Sequence, residues 1–334
     1  MNNSNKIKEV QAELEKEGYV LSKDAMEFLT ENHNKIDDVK EIIKDSRNES
    51  LLKIITKEDI LKNIQAQKNK ERKKLNELDG KTWTKYSVSI WDITKSVHES
   101  RIKHPAMFPV ELCKRLIKIF TKKGDLILDP FVGSGSVLVA AKELERKAVG
   151  IDINPDFVKL AKKRIAQDLL IETEVPKPQV FCDDAINLLD YVNPNSVDLV
   201  ITSPPYWIVH KRKRTADYKE SRPYSELERD LGNISDYHTF LQELKKIFEK
   251  VYAALKAEKY CVIVVMDIRI KSLFVPFHID IINLMKEIGF ILDDIIIWDR
   301  RKEYNNLRPL GYPYKFIVNK VHEYILLFRK TNLK

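Results

Sequence analysis

The chain has 334 residues, enough for one large α/β domain and a smaller companion, and carries 58 Lys and Arg against 50 Asp and Glu, a formal net charge of +8. Residues 1–80 hold 16 basic and 17 acidic side chains and the remainder 42 and 33, so the positive excess, which favours a polyanionic partner, belongs to the larger part. No apolar run approaches the ~18 residues of a membrane span, no secretory leader opens the chain, and Cys113, Cys182 and Cys261 lack Cys-x-x-Cys or paired-His spacing; these features argue against membrane insertion, secretion, a disulfide scaffold or a metal site, and for a cytoplasmic protein with buried thiols.

Residues 1 to about 76 read as helices. Ser22 offers a cap ahead of Met26, Phe28 and Leu29, and further periodic stretches surround Val39 to Ile43 and Ile60 to Ile64. Gln65 to Lys74 is polar and lysine-rich, a linker or an exposed helix end. Residues 1–80 are therefore expected to form a small helical N-terminal module with its linker, without a catalytic signature, and 81–334 the catalytic domain. Thr82 to Ile93 is rich in β-formers, and Pro109 opens a helix through Phe120 where its missing N–H costs nothing.

Strand-like runs follow at Leu126 to Asp129, Ala148 to Asp152, Gln179 to Cys182, Val197 to Ile201, Cys261 to Met266, Ile291 to Trp298 and Tyr324 to Phe328. Helical patterns separate most of them. Asn154 caps one helix with Pro155 in its first turn, and Asp236 to Leu255, capped by Ser235, carries an apolar stripe from Tyr237 to Leu255. This alternation implies an α/β fold with a mostly parallel, doubly wound sheet.

Two motifs carry the chemistry. The stretch Asp129-Pro130-Phe131-Val132-Gly133-Ser134-Gly135 reads as a glycine turn between strand and helix, where the backbone can approach a ligand closely. Asp152, about 20 residues on, ends the next strand where a nucleotide-binding unit places its ribose-hydroxyl acceptor. Leu138 and Val139 stand where a dinucleotide fingerprint needs its third glycine, which points to a nucleoside with a small tail such as S-adenosyl-L-methionine. The second motif is Thr202-Ser203-Pro204-Pro205-Tyr206-Trp207. Its prolines cannot donate hydrogen bonds, so the carbonyls of Ser203 and Pro204 are left to accept from an exocyclic amine, while Tyr206 and Trp207 offer faces for stacking a base.

Together these motifs resemble those of the DNA amino-methyltransferases, and the Ser-Pro-Pro-Tyr form is most similar to their cytosine-N4 branch. The segment His104-Pro105-Ala106-Met107-Phe108-Pro109, running into the glycine turn, and the strand from His322 to Lys330 resemble further motifs of the family, in a permuted order. The resemblance covers roughly residues 81–334. It implies seven strands with the last antiparallel. Asp129, Phe131, Gly133 and Gly135 would frame the methionine end of the cofactor, with His104, Pro105, Pro109, Pro130 and Thr202 around it. Asp152 would receive the ribose hydroxyls, Ile153 would pack on adenine, and Asp184, or Asp183 beside it, would take the adenine amine. Ser203, Pro204, Pro205 and Tyr206 would form the catalytic motif around a base flipped from duplex DNA.

Two basic, aromatic segments, 207–235 and 299–321, follow strand ends on the ligand side of such a sheet. They are the expected target-recognition segments, with Lys211, Arg212, Lys213, Arg214, Arg300 and Arg301 on phosphate. No Pro-Cys pair exists to supply the thiolate that carbon-5 methylation of cytosine requires. Adenine N6, an RNA base and a catalytically silent DNA-binding subunit are the alternatives, and a restriction endonuclease of the same system is the partner protein that the resemblance raises.

Overall fold

The computed structural model describes residues 3–16, 19–36, 39, 53–102, 107–166, 175–209, 227, 229–270, 273–304 and 307–331. The chain divides into two compact units, residues 1–74 and 75–334.

In the first unit, helices α1 (Asn3–Lys16), α2 (Lys23–Glu31) and α3 (Lys57–Lys73) accompany two three-residue strands, β1 (Tyr19–Leu21) and β2 (Lys53–Ile55). The strands pair in parallel, with Tyr19 opposite Lys53 and Leu21 opposite Ile55. Ser22 performs the expected cap, accepting from the Ala25 N–H at 3.3 Å, and its hydroxyl also donates to the Ile55 carbonyl at 3.0 Å. One side chain thus starts a helix and fastens the sheet. Leu14, Leu29, Ile36 and Ile60 are fully buried in this unit's core. An all-helical reading missed β1 and β2 because three residues carry no period. Of the stretch from Val39 to Ile43, only Val39, which is buried, lies within the described residues.

The second unit begins with α4 (Gly80–Tyr86), β3 (Ile90–Trp91), α5 (Val97–Ser100) and α6 (Val110–Phe120). Thr82 to Tyr86, although rich in β-formers, is helical. Asp79 accepts from both the Thr82 N–H (2.8 Å) and the Thr82 hydroxyl (2.7 Å), and this cap overrides the β preference of the residues that follow. Then come β4 (Leu126–Asp129), α7 (Ser136–Glu143), β5 (Lys147–Asp152), α8 (Pro155–Ala166), β6 (Gln179–Cys182), β7 (Val197–Thr202), α9 (Tyr237–Ala254) and β8 (Leu255–Val265). The hairpin of β9 (Ile268–Ile270) and β10 (Leu273–Val275), helix α10 (Phe277–Ile288), β11 (Phe290–Asp299) and β12 (His322–Lys330) complete it. Helix α9 is capped by Asp236, whose carboxylate accepts from the Thr239 N–H, rather than by Ser235.

One sheet of eight strands, in the order β3-β11-β12-β8-β7-β4-β5-β6, organises the described part of this unit. Its neighbours are parallel except at β12, which runs antiparallel to both β8 and β11. The eighth strand beyond the expected seven is β3, with Trp91 opposite Trp298. Both indoles are buried and donate to backbone, Trp91 to Tyr86 and Trp298 to Ile93.

The central strands are apolar on both faces, as a sheet covered on both sides requires. Cys261, Ile263 and Val265 of β8 face one core, with Phe240, Leu244 and Phe248 of α9 and Phe277 and Met285 of α10. Val262 and Val264 face the other, with Leu112, Leu116 and Phe120 of α6, Ala140 of α7 and Ala161 of α8. Cys113 and Cys261 are buried as expected; Cys182 is exposed, because β6 is the edge strand and its last residue turns outward.

Helix α7 packs so closely on α8 that only glycine fits before it. Gly135 has φ +80°, and a Cβ there would stand 2.9 Å from Ala161 Cβ and 3.1 Å from its Cα. Gly124 has nearly the same φ, +83°, but open space around it. Gly124→Ala should therefore cost only the backbone strain, about 1–2 kcal/mol, whereas Gly135→Ala should add about 1–3 kcal/mol of helix displacement. Chemical unfolding of the two variants measures the difference, and equal losses would show that the helices yield freely.

Candidate functional site

Strand order places the site. From β4 the chain winds outward through β5 to β6, then returns to the other side of β4 as β7, so the sheet has its switch point between β4 and β7. At such a point the loops leaving the carboxyl ends diverge and a cleft opens. The cleft here encloses about 850 Å³ of non-protein space, including its open mouth. Asp129 ends β4 and Thr202 ends β7, and the Thr202 hydroxyl donates to Asp129 Oδ1 at 2.7 Å. Asp129 Oδ1 also accepts from the Phe131 N–H at 3.1 Å.

The glycine turn is held from three sides. The Val132 N–H donates to the Ile151 carbonyl (2.9 Å) and the Gly133 N–H to Asp152 Oδ2 (2.8 Å), while Asp152 Oδ1 accepts from the Asn154 N–H (2.9 Å). From below, the buried Arg164 guanidinium donates to the Ser134 carbonyl (2.7 Å) and to the hydroxyls of Ser134 and Ser136 (3.1 Å each). Ser136 donates in turn to the Phe108 carbonyl at 2.9 Å, joining the turn to the entry of α6.

Asp129 and Asp152 are desolvated carboxylates that, among the described residues, form no ion pair. Burial pushes Asp129 up to about 7 and Asp152 up to about 6, and in each case a second carboxylate, Asp152 or Asp230, adds to the shift. Only neutral hydroxyl and N–H donors oppose it. Such a cleft favours a ligand with hydroxyl donors or positive charge. Its apolar walls, Phe108, Phe131, Ile153, Phe157 and Leu231, suit a flat ring.

The expected site residues divide. Asp129, Pro130, Phe131, Gly133, Asp152, Ile153, Asp184, Ser203 and Pro205 line the cleft together. Thr202 acts through Asp129, Gly135 sets the turn, and Pro109 precedes α6 while its neighbour Phe108 forms the wall. Asp184 lines the cleft and caps the turn of residues 185–190 through the Ile186 N–H (3.0 Å). Asp183 does not line it. Its carboxylate accepts from Tyr191 (2.8 Å), Asn187 (3.1 Å) and the Asp184 N–H (2.7 Å), and the Tyr191 hydroxyl first of all holds it below the usual range. His104, Pro105, Lys211, Arg212, Lys213 and Arg214 lie outside the described residues.

Tyr206 and Trp207 do not present open faces. Tyr206 is 7% exposed and packs toward Phe277, with ring centroids 6.1 Å apart. Its hydroxyl accepts from Ser203 Oγ (3.3 Å) and donates to Glu323 Oε2 (3.4 Å). Trp207 has φ +46° and donates its indole N–H to the Ile234 carbonyl at 2.9 Å, beside Tyr237. Both rings are drawn into the apolar layer of α9 and α10, which a motif read as a loop does not reveal.

Arg300 also departs from its expected place on phosphate. It is paired with Glu323 and Glu303 and lies over the rings of Trp298 (4.8 Å) and Tyr304 (5.7 Å). Arg301 makes a two-pronged contact with Asp299, at 2.9 Å from Nε and 2.6 Å from Nη2. Sequence reasoning missed Phe108, Phe157, Arg164, Asp230 and Glu323. For Arg164, the one available signal was a cation within the otherwise apolar stripe of Val158, Ala161 and Ile165. Among the described residues no cluster of His, Cys, Asp and Glu could hold a metal ion, and no helix is long and apolar enough to cross a membrane.

The raised Asp129 has a stability consequence. Between about pH 4, where the unfolded carboxyl ionises, and about pH 7, the folded state holds the extra proton, so stability falls as pH rises. Asp129→Asn keeps an oxygen acceptor for Thr202 and Phe131 without the charge. In the ligand-free protein it should raise stability at pH 8 by on the order of 2–4 kcal/mol, with the gain shrinking toward pH 4. Denaturant unfolding at both pH values tests this; a gain that does not depend on pH would mean that Asp129 is not the desolvated charge.

Comparison with known proteins places this geometry in a family. The family model described as DNA methylase, which joins N6 and N4 methyltransferases, matches residues 5–163 and 197–334. A second, described as D12 class N6 adenine-specific DNA methyltransferase, matches residues 110–237. Type II methyltransferase M2.DpnII of Streptococcus pneumoniae is 45% identical over 83 residues, 24% of this chain and 31% of that protein. Type II methyltransferase M.MjaI of Methanocaldococcus jannaschii is 36% identical over 92 residues, 25% of this chain and 30% of that protein. The chain thus matches less than a third of the length of either relative. Among solved structures, a Thermus thermophilus chain provisionally named a DNA modification methylase, complexed with S-adenosyl-L-methionine, is 32% identical; the match covers 45% of this chain and 54% of that one, with a TM-score of 0.32. Because the first model takes in the glycine turn, the Thr202 to Trp207 stretch and the closing strand together, the chain belongs to the DNA methylase family of N6 and N4 methyltransferases.

Proposed function

We propose that the chain transfers the methyl group of S-adenosyl-L-methionine to an exocyclic amine of a base in double-stranded DNA, with N4 of cytosine as the acceptor. The observation that carries this reading is the Thr202 to Asp129 hydrogen bond, which ties the Ser-Pro-Pro-Tyr strand end to the glycine turn across one cleft. The cofactor fits the residues present. Asp152 engages each oxygen with a single backbone N–H, which leaves acceptor capacity for ribose hydroxyls. Ile153 and Phe157 offer apolar contact to adenine, and Asp184 an acceptor for its amine. The desolvated Asp129 favours the cationic methionine end. When bound, S-adenosyl-L-methionine supplies a methyl group activated by the positive sulfur.

The acceptor side follows from proton placement. The Tyr206 hydroxyl donates to Glu323 Oε2 and accepts the proton of Ser203 Oγ. With its own proton committed there, Ser203 turns lone pairs to the cleft, where they and the Pro204 carbonyl accept from the target amine. These bonds draw the amine lone pair out of conjugation with the ring and aim it for transfer. Orientation and fixed acceptors then provide the rate without a strong base, because the methylated amine is cationic and acidic and releases its extra proton to water. The base reaches them by leaving the duplex stack.

The Ser-Pro-Pro-Tyr form of residues 203–206, which resembles the cytosine-N4 branch, favours cytosine. The match of residues 110–237 to the N6 adenine-specific model, a stretch that contains the same motif, favours adenine N6 as the second reading. A cytoplasmic setting and a restriction endonuclease partner in the same system accompany either one.

Plasmid DNA treated with the protein and cofactor, digested to nucleosides and measured by mass spectrometry, should contain N4-methylcytosine; N6-methyladenine as the main product would replace the acceptor, and no methylated nucleoside would sink the reading. Ser203→Ala should lower the rate about ten- to a hundredfold. Asp152→Ala should weaken S-adenosyl-L-methionine binding at least about tenfold, the loss of one charge-assisted acceptor, with circular dichroism unchanged. Calorimetry that finds equal affinity would remove Asp152 from the cofactor site.

A further inference from the structure

The segment from Leu307 to Val321, which joins β11 to β12, holds its largest apolar groups away from the protein. Tyr312 is 79% exposed, and Tyr314 and Phe316 are each 94% exposed. This exposure is built. The Tyr314 and Lys315 N–H groups both donate to the Gly311 carbonyl (2.9 and 2.8 Å), and the Asn319 amide donates to the Arg308 carbonyl (2.7 Å). Gly311 has φ +80°; a Cβ there would lie 2.2 Å from the Lys315 carbonyl and 3.1 Å from the Ile317 side chain, so the turn closes on itself with Ile317 packed against Gly311. Phe316, the adjacent residue, is left outside.

Three further facts identify the partner. Residues 307–321 contain Arg308, Lys315 and Lys320 and no carboxylate. Strand β11 runs parallel to β8, β7 and β4 through the intervening antiparallel β12, so the segment leaves the sheet at the same edge as Asp129 and Thr202. It returns into β12 at His322 and Glu323, the latter being the residue that receives the Tyr206 hydroxyl. Exposed rings with the exposed Lys315 between them, at the same end of the sheet as the cleft, match the two faces of duplex DNA: charged phosphates outside and stacked bases within.

We infer that Tyr314 and Phe316 form a stacking wedge for duplex DNA, entering the base stack beside the target and filling the space that the extruded base leaves; this rests on the function proposed above. Lys315, between them, meets phosphate. Removing a base from the stack exposes its neighbours' faces, and an aromatic ring is the side chain that covers them without regard to sequence.

The test compares the full chain with Tyr314→Ala/Phe316→Ala, Phe316→Trp and Lys315→Ala, all exposed positions, using linearised plasmid DNA as the probe. The double variant should bind DNA at least about tenfold more weakly with an unchanged salt slope, and methylate it correspondingly more slowly at subsaturating DNA. Phe316→Trp should retain binding, whereas Lys315→Ala should flatten the salt slope by up to about 0.9. Calorimetric affinity for S-adenosyl-L-methionine should be the same in all four proteins. If the double variant binds and methylates like the parent, the wedge is wrong while the methyltransferase reading stands; if the parent itself leaves DNA unmethylated, the methyltransferase reading fails first. Sedimentation in which the parent is oligomeric and the double variant monomeric, with DNA binding equal, would assign the rings to a second copy of this chain and overturn the proposal.

Discussion

The site depends on one desolvated carboxylate. Asp129 closes β4 at the point where the sheet reverses its winding, and the Thr202 hydroxyl from the end of β7 donates to it. With no cation beside it among the described residues, the carboxylate is held in place by two neutral donors and retains a strong demand for positive charge. A buried ion in that condition lowers the stability of the empty protein and raises the affinity of a cationic ligand for the same reason. Asp152, nearby and also raised, extends the condition along the cleft.

A ligand site of this kind works only if its backbone does not collapse onto it. The turn from Pro130 to Gly135 is braced by Asp152 on one side and by Arg164 beneath, so its amides are fixed by side chains from the two elements that follow. Gly135 permits this because the approach of α8 leaves no room for a Cβ. The same contact that shapes the cleft therefore packs α7 on α8, which couples cofactor geometry to the stability of the core.

Much of this was legible in the sequence. The central strands carry continuous apolar runs because both faces of the sheet are covered there, and each strand from Leu126 to Phe328 falls within a residue or two of its expected place apart from β8, which starts six residues earlier, at Leu255. The cleft residues Asp129, Gly133, Asp152, Asp184 and Ser203 were legible as strand ends and turns. What was not legible depends on tertiary context. Asp79 turns a β-favouring stretch into α4 through a cap, and β1 and β2 are too short to show alternation. Adjacent aspartates cannot be told apart by pattern; Asp183 is claimed by Tyr191, eight residues away, and only Asp184 is left to the cleft. Tyr206 and Trp207 read as exposed aromatics, yet α9 and α10 supply apolar surface that draws both rings inward.

Arg300 illustrates how charge counted along a sequence misleads. Its guanidinium is mostly buried over Trp298 and Tyr304, and a buried cation requires compensation, which Glu303 and Glu323 both supply. Lys95 stands beside the same three side chains, so the Arg300 charge is matched within the cluster and its guanidinium is committed to Glu303 and Glu323. Its other consequence reaches the cleft: Glu323 has one oxygen toward Arg300 and the other toward Tyr206, whose hydroxyl fixes Ser203. Ser203 is thus linked through Tyr206 to a charge pair at the root of the segment that carries Tyr314 and Phe316.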